Sequence, residues 1–337
     1  MTYREDIKHV ASQNIPWKKL SNKNILVTGA TGMIGSTLID VLMSHQRQDY
    51  HVYASGRNES KINSLFEKYI DNPYFHFLKH DVRKPLESDT VFNFIIAGAG
   101  VASPQLYSTD PVSVIKSNLW GVDNLLSYGV NHSLEKFLYV SSGEVYGEGD
   151  GRIFTEDYSG YVDCTSLRSC YPSAKRTSES LCIAYSHQYK IDVSIARPCH
   201  VYGPNFSESD KRVYAQFIRN VLQNENIVMK STGSQYRSWC YVVDCVSALL
   251  YILLKGENGE AYNIADENSN ITIKELAETI AEIGHKKVII DVPEETEKAG
   301  YNVVKKSLFS TDKLRSLGWS CSGTIKEKLE ATVNALR

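Results

Sequence analysis

The sequence predicts an α/β protein in which a doubly wound parallel sheet is followed by a smaller mixed α/β lobe toward the carboxyl end. Short β-branched runs alternate with longer helical patterns over the first 198 residues, an order typical of parallel strands joined by crossover helices. A glycine-rich turn directly follows the first of these runs, and beyond residue 198 the alternation gives way to mixed short strands and helices. In such folds ligands bind in the crevice at the carboxyl ends of the strands.

The predicted strands are short runs rich in β-branched and aromatic residues. They are residues 25–27, 52–55, 75–78, 92–96, 137–140 and 193–196. After the first strand, apolar residues at helical spacing predict a helix over residues 34–43. Six strands with crossovers of this kind predict a doubly wound sheet.

Composition and charge restrict the class of protein. The 337 residues are 42% hydrophobic and 23% charged, and 37 Lys and Arg nearly balance 39 Asp and Glu, which disfavours a nucleic-acid partner. No apolar stretch approaches the length of a membrane span, and the first residues are too polar for a signal peptide, so we expect a soluble, cytoplasmic protein without a membrane partner. Seven cysteines without a CxxC pair indicate neither a disulfide framework nor a metal site.

The turn after the first strand reads as a dinucleotide site. Gly29, Gly32 and Gly35 form a G-x-x-G-x-x-G pattern that opens a helix. Glycines allow a tight turn and close approach of a pyrophosphate, whose charge the free N–H groups of the helix start can hold. The intervening candidates for cofactor contact are Thr31, Met33 and Ile34. A purely steric role for the glycines is the alternative.

Together these features predict three segments: a polar leader over residues 1–20, a Rossmann-type NAD(P)-binding domain over 21–198, and a substrate lobe over 199–337, with possible crossings of the chain back to the first domain.

The residues at the end of the second strand indicate which cofactor is preferred. This strand end lacks the carboxylate that would accept from a ribose 2′-OH, and Arg57 stands there instead. This favours NADP(H), with NAD(H) possible and a solvated loop cation as the alternative for Arg57. Asp81, after the third strand, is a candidate acceptor for the adenine amino group or a turn cap.

A candidate catalytic set follows the fifth strand. Tyr171 and Lys175 are spaced i and i+4, so they share one helix face, and Ser142 follows the strand end. A nearby ammonium and a positive nicotinamide ring would lower the pKa of a tyrosine, which then accepts a proton from a sugar hydroxyl while hydride leaves the same carbon. If the strand stays extended through Gly143, alternation places Ser142 and Glu144 on one side. A surface helix pair is the alternative for Tyr171 and Lys175.

The chain resembles the extended short-chain dehydrogenase/reductases, within them the nucleotide-sugar epimerase/dehydratase family, over nearly its whole length. Besides the glycine turn and the Ser, Tyr and Lys set, the family-like segments are 118–121, 197–198, 201–204, 233–237, 241–244 and 317–319. Within the family its motifs are most similar to those of UDP-glucuronate decarboxylases. The segments that carry this likeness are 102–104, 168–171, 175–176, 210–213 and 233–237.

The resemblance implies roles for individual residues. Ser142, Tyr171 and Lys175 would be the redox catalysts, and Glu144 an additional acid/base. Tyr171, Lys175, Ala97 and Arg197 would also contact the cofactor. Residues implied in binding the nucleotide sugar are Ser103, Arg168, His200, Arg212, Arg237 and Lys305, with Arg237 on the diphosphate. A lobe-bridging salt bridge is the alternative for Arg237 and a solvated carboxylate for Glu144. The family also implies a homodimer through two long helices, for which residues 111–128 and 173–189 are the candidates. The surplus apolar residues expected on that surface are Val114, Leu119, Val122 and Leu125 on the first and Leu181, Ile183, Ala184 and Tyr185 on the second.

Three departures from the family pattern leave the reaction open. Gly143 stands where the decarboxylases have a hydroxyl and the dehydratases an Asp, His200 replaces the usual Asn, and Lys305 replaces an Arg. Redox-neutral epimerisation, dehydration or decarboxylation through a 4-keto sugar ranks first. A net NADPH-dependent 4-keto-sugar reductase is the alternative, and a non-catalytic dinucleotide-binding protein ranks last.

Overall fold

A computed structural model describes residues 2–292, 305–321 and 323–337 of the chain. Its strands in chain order are β1 Asn24–Thr28, β2 His51–Gly56, β3 Phe75–Lys79, β4 Phe94–Ala97, β5 Lys136–Val140, β6 Val193–Pro198, β7 His200–Tyr202, β8 Ile227–Met229, β9 Tyr236–Tyr241, β10 Ala261–Ile264, β11 Asp266–Thr272, β12 Val288–Ile290 and β13 Lys306–Ser307. Its helices are α1 Tyr3–Ser12, α2 Met33–Ser44, α3 Glu59–Leu65, α4 Pro104–Thr109, α5 Pro111–Asn131, α6 Cys170–Tyr189, α7 Val213–Leu222, α8 Val242–Lys255, α9 Ile273–Gly284, α10 Asp312–Ser316 and α11 Ile325–Asn334.

The main sheet is parallel and has the order β3-β2-β1-β4-β5-β6-β10, which confirms the predicted doubly wound fold. Every residue of β4 and β5 is buried, as expected for central strands covered by helices on both faces. The strand order reverses between β1 and β4, and a crevice opens there at the carboxyl ends of the strands. The candidate site therefore lies where β1, β4 and β5 end.

The seventh strand, β10, was not among the predicted strands. It lies in the carboxy-terminal part of the sequence but pairs with β6 in parallel, from Ala261 opposite Ile195 to Ile264 opposite Pro198. The chain thus returns to the first sheet after residue 199. The remaining strands β7, β9, β11 and β13 form a second sheet, and β8 pairs with β12.

Residues 1–20 are more than a polar leader, because they form helix α1 and a short 3₁₀ turn. Thr2 and Glu5 make a reciprocal capping box at the start of α1. Ile7 and Val10 are buried on one face of the helix, which packs against α2 and α8. Three-to-four-residue spacing of these apolar side chains within a polar segment is the pattern of an amphipathic surface helix.

No helix among residues 2–292, 305–321 and 323–337 is both long and apolar enough to cross a bilayer.

Candidate active site

The glycine turn between β1 and α2 has no room for side chains. Gly29 has a φ of +71°, and a Cβ there would lie 2.8 Å from the Gly98 carbonyl oxygen. A Cβ on Gly35 would lie 2.3 Å from the carbonyl oxygen of Gly29. A side chain at either position would clash with backbone atoms, so both positions require glycine for steric reasons.

The start of α2 fits the pyrophosphate of a dinucleotide. Gly32 is the N-cap and supplies no side-chain cap, so the first N–H groups of the helix stay available to an anion. Gly32 is exposed and Thr31 and Ile34 are half-buried, whereas Met33 is buried, with its Sδ accepting a hydrogen bond from Tyr214. Ala97 at the end of β4 is buried next to Gly98, against which Gly29 packs. The turn and the helix start are therefore compatible with the predicted pyrophosphate site.

The two charged residues predicted near the cofactor, Arg57 and Asp81, follow the ends of β2 and β3. Arg57 is exposed directly after β2. The Arg83 guanidinium binds both oxygens of Asp81, with Nη2–Oδ2 at 2.6 Å, and this contact lowers the pKa of Asp81 to about 2, with a smaller contribution from the charge of Arg57. An adenine amino group would share Asp81 with Arg83. Ser55, at the end of β2, has a buried hydroxyl without a hydrogen-bond partner among the described residues, a feature that the sequence did not reveal.

Helix α6 brings Tyr171 and Lys175 to the carboxyl end of β5. The Lys175 ammonium donates to the Val140 carbonyl at 2.8 Å and lies 5.8 Å from the centre of the Tyr171 ring. Burial lowers the pKa of Lys175 to about 8. The Ser142 side chain lies close enough to Tyr171 to lower the pKa of the phenol. The three predicted redox residues are therefore adjacent.

The pKa of Tyr171 differs from the sequence-based prediction. Burial raises it well above the ordinary range, and the charge of Glu144 raises it further. The groups that lower it are Ser142, Arg212 and Arg168, whereas Lys175 is not among the principal influences. The phenol is therefore held in its neutral form until a further positive charge enters the site.

Glu144 reaches the site by a different backbone path from the predicted one. The strand ends at Val140, and residues Gly143–Tyr146 form a 3₁₀ turn that Ser142 caps by accepting from the Glu144 backbone N–H at 3.2 Å. The condition for that alternation, a strand extended through Gly143, is not met, because the Ser142 side chain bonds the backbone in place of a neighbouring strand. Glu144 nevertheless lies near enough to Tyr171 for its charge to act on that phenol.

A cluster around Glu144 includes one residue that the sequence did not single out. Arg168 pairs with Glu144, with Nη2–Oε1 at 2.7 Å, and lies 4.8 Å above the ring of Tyr107. Tyr107 stacks on Tyr171 at 5.0 Å between ring centres. Ser103 is the N-cap of α4, the helix that carries Tyr107. The chain has 21 tyrosines, and no sequence pattern separated Tyr107 from the others.

The second sheet contributes two of the predicted substrate-binding residues, His200 and Arg237. His200 of β7 and Arg237 of β9 are close enough to interact electrostatically. Burial, with Arg237 and Arg212 adding their charges, lowers the pKa of His200 to about 3, so the imidazole is neutral. Its Nδ1 is inaccessible and has no hydrogen-bond partner among the described residues. Arg212 is paired with Asp210 at 2.5 Å, and Lys305 immediately precedes β13.

Arg197 has partners that differ from the predicted cofactor contact. Its Nη2 lies 2.7 Å from the Glu179 carboxylate, and Nη1 donates to the Glu156 carbonyl and the Tyr146 hydroxyl. Glu179 also accepts from the Ser141 hydroxyl at 2.5 Å. The Arg197 guanidinium donates to protein acceptors and joins β6 to α6, which is a structural role.

A second group of potential ligand atoms lies in the carboxy-terminal part. The side chains of Asp244, Asp266 and Cys321 converge among the described residues. The ammonium of Lys328 lies 2.8 Å from Asp244 and 2.9 Å from Asp266, so a protein cation already pairs with both carboxylates.

Comparison with known proteins agrees with this geometry. Residues 25–265 match the profile of the NAD dependent epimerase/dehydratase family, a range that runs from the first strand past the second sheet's β9 to the end of β10. The chain belongs to this family. UDP-glucuronic acid decarboxylase 6 of Arabidopsis thaliana is 37% identical to it over 278 residues, covering 82% of this chain and 78% of the relative.

Solved structures of the family share the fold. UDP-glucose 4-epimerase of Thermotoga maritima, solved with UDP-glucose, is 25% identical and matches with a TM-score of 0.77 over 92% of this chain and 97% of that one. UDP-glucuronic acid 4-epimerase of Bacillus cereus, 23% identical, matches with a TM-score of 0.79 over 93% and 98% of the two chains. This family member is thus an enzyme with the fold of nucleotide-sugar epimerases.

Proposed function

We propose that this enzyme binds NAD(P) and converts a nucleotide diphosphate sugar through a keto intermediate at carbon 4. The observation that carries the proposal is the adjacency of Ser142, Tyr171 and Lys175 at the end of β5, beside a glycine turn with a free helix start. The relative named as a UDP-glucuronic acid decarboxylase and the epimerase structure that holds UDP-glucose support a nucleotide sugar as the substrate class.

Each of these residues would have a separate role in the first step, the oxidation of the sugar at carbon 4. The bound dinucleotide supplies the hydride acceptor. Tyr171 takes the proton of the 4-hydroxyl, and Ser142 donates a hydrogen bond to the same sugar oxygen. Lys175, fixed on the Val140 carbonyl at 2.8 Å and 5.8 Å from the centre of the Tyr171 ring, would supply a donor for the nicotinamide ribose. Because burial keeps Tyr171 neutral, we expect proton removal to require the additional positive charge of the oxidised cofactor.

We place the sugar nucleotide between the two sheets. Arg237, Arg212 and Lys305 supply positive charge for the diphosphate, and neutral His200 supplies a hydrogen-bonding nitrogen beside them. Ser103 and Arg168 lie toward the sugar, where Arg168 also holds Glu144. The arrangement sets a cationic binding surface opposite the redox residues.

The preferred reaction is redox-neutral, so that the hydride taken from carbon 4 returns to the sugar. Glu144 supports this ranking, because a plain ketoreductase needs no carboxylate beside Ser142. One observation favours the alternative NADPH-dependent reductase: the end of β2 carries Arg57 and no acidic residue.

Mass spectrometry distinguishes these reactions. Purified enzyme is incubated with UDP-, CDP-, GDP- and dTDP-sugars, with and without added NADPH. Loss of carbon dioxide, loss of water, or an unchanged mass at a new retention time without NADPH supports the redox-neutral proposal. A gain of two hydrogens that requires NADPH supports the reductase, and no conversion of any sugar nucleotide contradicts both.

We further propose that NADP(H) binds more tightly than NAD(H) through Arg57. A charge-assisted contact to a phosphate contributes about 1.5 to 3 kcal/mol, so Arg57→Ala should weaken NADP(H) binding by about tenfold or more. Titration of both cofactors measures this, and Lys61→Ala on the neighbouring helix α3 is the control. Equal weakening of NAD(H) and NADP(H), or of neither, would show that Arg57 is a solvated cation.

We also propose a homodimer through α5 and α6. Part of the expected set needs correction, because Val114, Val122 and Leu125 are buried in the subunit core. Of the other expected residues, Leu119, Leu181 and Tyr185 are half-buried, and Ile183 and Ala184 are exposed. Further apolar side chains exposed on the two helices are Val112, Ile115, Trp120, Val130 and Tyr189. Light scattering should show a dimer at micromolar concentration, and a monomer there would contradict the proposal.

A further inference from the structure

We propose that Phe309 is a positioning residue for Glu144, because its ring takes the place of a side chain at position 143 and holds the Gly143–Tyr146 turn against the active site. The inference rests on the proposed function, in which Glu144 acts as an acid/base. It assigns an effect on catalysis to Phe309, an apolar residue in the carboxy-terminal part of the chain.

The ring of Phe309 lies directly against the backbone of Gly143. A Cβ built on Gly143 would lie 2.3 Å from Cζ and 2.5 Å from Cε1 of Phe309, far inside van der Waals contact. The φ of Gly143 is not positive, so conformational strain does not require glycine there. The ring alone excludes a side chain, and Gly143 and Phe309 are complementary in shape.

Phe309 is itself held firmly. It is 2% exposed, and its ring makes edge contacts with Tyr146 and Phe154, both with 5.6 Å between ring centres. Its backbone N–H donates to Ser238 Oγ at 3.1 Å. Ser238 follows Arg237 in β9, so this contact connects the strand of the proposed diphosphate ligand to the catalytic turn.

The two catalytic residues beside Gly143 are anchored unequally. The residue before Ser142, Ser141, is fixed to β6 by a backbone hydrogen bond from its N–H to the Ala196 carbonyl at 2.7 Å, and its hydroxyl donates to Glu179. Glu144 depends on the turn itself and on the half-exposed ion pair with Arg168. Loss of the packing on Gly143 should therefore displace Glu144 more than Ser142.

This arrangement also limits the chemistry available beside Ser142. With a ring in the space of a side chain at 143, no acid, base or hydroxyl can stand at that position. Proton transfers to and from the carbons next to the 4-keto group then fall on Glu144 among the described residues of the turn. Phe309 thereby contributes to the choice of reaction without touching substrate.

The test is a double-mutant cycle between positions 143 and 309, read at two steps of the reaction. One readout is overall turnover, and the other is reduction of the bound cofactor by substrate in a single turnover, which needs Ser142, Tyr171 and Lys175. We expect Gly143→Ala to lower turnover by about tenfold or more in the wild-type background and by less than about threefold in the Phe309→Ala background. We expect Phe309→Ala to lower turnover by about tenfold while changing cofactor reduction by less than about threefold.

Phe154→Leu is the matched control, because Phe154 belongs to the same buried aromatic cluster and does not border Gly143. It should lower the unfolding temperature and keep turnover within about threefold of wild type. If Phe309→Ala does not fold, Phe309→Leu replaces it in the cycle. Leucine fills most of the volume of the phenylalanine side chain but lacks the ring atoms that lie against Gly143. Retained turnover in Gly143→Ala, or equal losses in both backgrounds, would overturn the inference. So would parallel losses of turnover and cofactor reduction in the Phe309 variant.

Failure of the proposed function has a different signature. In that case wild-type enzyme reduces no cofactor with any nucleotide sugar, while the same cycle in unfolding temperature still shows coupling between Gly143 and Phe309. The steric pair would then stand, and its catalytic meaning would be wrong.

Discussion

Tyr171 and Lys175 both lie away from water, and burial shifts their pKa values in opposite directions. The phenol is held neutral, and the pKa of the ammonium falls to about 8. The sequence predicted which residues come together, because i and i+4 spacing places them on one helix face. It could not predict the balance of charge, since Arg168, Arg212 and Glu144 reach Tyr171 from three separate segments of the chain.

At the residue scale the first prediction concerns Tyr171. Tyr171→Phe removes the proton acceptor and little packing, so turnover should be lost while cofactor affinity stays near the wild-type value. Lys175→Met should impair both, because it also removes the hydrogen bond to the Val140 carbonyl. Steady-state kinetics and cofactor titration measure the two effects. Normal turnover in the phenylalanine variant would exclude Tyr171 as the catalytic acceptor.

His200 gives the second prediction, a pH dependence of stability. Its pKa is about 3 in the folded protein, below the ordinary value near 6.5, so the unfolded chain binds more protons between these limits. This residue therefore makes stability rise with pH across that window, with a slope of at most about 1.4 kcal/mol per pH unit. Asp244, whose pKa burial raises to about 6, contributes the opposite slope between its unfolded and folded values.

The comparison with His200→Asn isolates the histidine, because Asn does not titrate in this range and the Asp244 contribution is common to both proteins. Urea unfolding at several pH values from 4 to 7 should show the difference in stability between variant and wild type moving in favour of the variant as pH falls. A difference independent of pH would mean that His200 titrates normally in the folded protein.

At the scale of elements, the local sequence pattern predicted most strands of the main sheet. It failed where the structure depends on a side-chain contact or on pairing with a strand distant in sequence. The β-branched and aromatic runs of β1, β4, β5 and β6 form strands that are almost wholly buried, as expected for central strands of a parallel sheet. Strand β10 is short and includes Asn263, whose side chain is satisfied by Tyr146 and by the Phe154 and Ser310 carbonyls. The 143–146 turn depends on the Ser142 cap and on Phe309, which is 166 positions further along the chain than Gly143. Neither influence is visible in a local window of sequence.

Helix α1 provides the third prediction. Ile7 is buried against the body of the subunit, so Ile7→Ala should lower the free energy of unfolding by about 2 to 5 kcal/mol. Lys8→Ala, on the exposed face of the same helix, should change it by no more than about 0.5 kcal/mol. Chemical denaturation measures both. Equal, small effects would mean that α1 is a dispensable leader, as its polar composition alone suggested.

On the scale of the whole molecule, the proposed site draws residues from both sheets. The first sheet supplies the glycine turn and the redox residues, and the second supplies Arg237 and His200. The sequence predicted a separate carboxy-terminal lobe because the change of pattern near residue 198 was clear. It allowed for crossings back to the first domain but did not predict that β10 makes one, nor that Arg197 would bind Glu179, since these contacts join segments that no local pattern relates.

The most direct test of the central claim follows the hydrogen at carbon 4 of the sugar. A nucleotide sugar that the enzyme converts is labelled with deuterium at carbon 4 and incubated with the enzyme and unlabelled NADPH. In a parallel reaction, unlabelled sugar is incubated with NADPH that carries deuterium on its transferable position. The redox-neutral account predicts that the product keeps the substrate's deuterium and takes none from added NADPH. Deuterium that enters the product stoichiometrically from added NADPH would contradict it and establish the reductase.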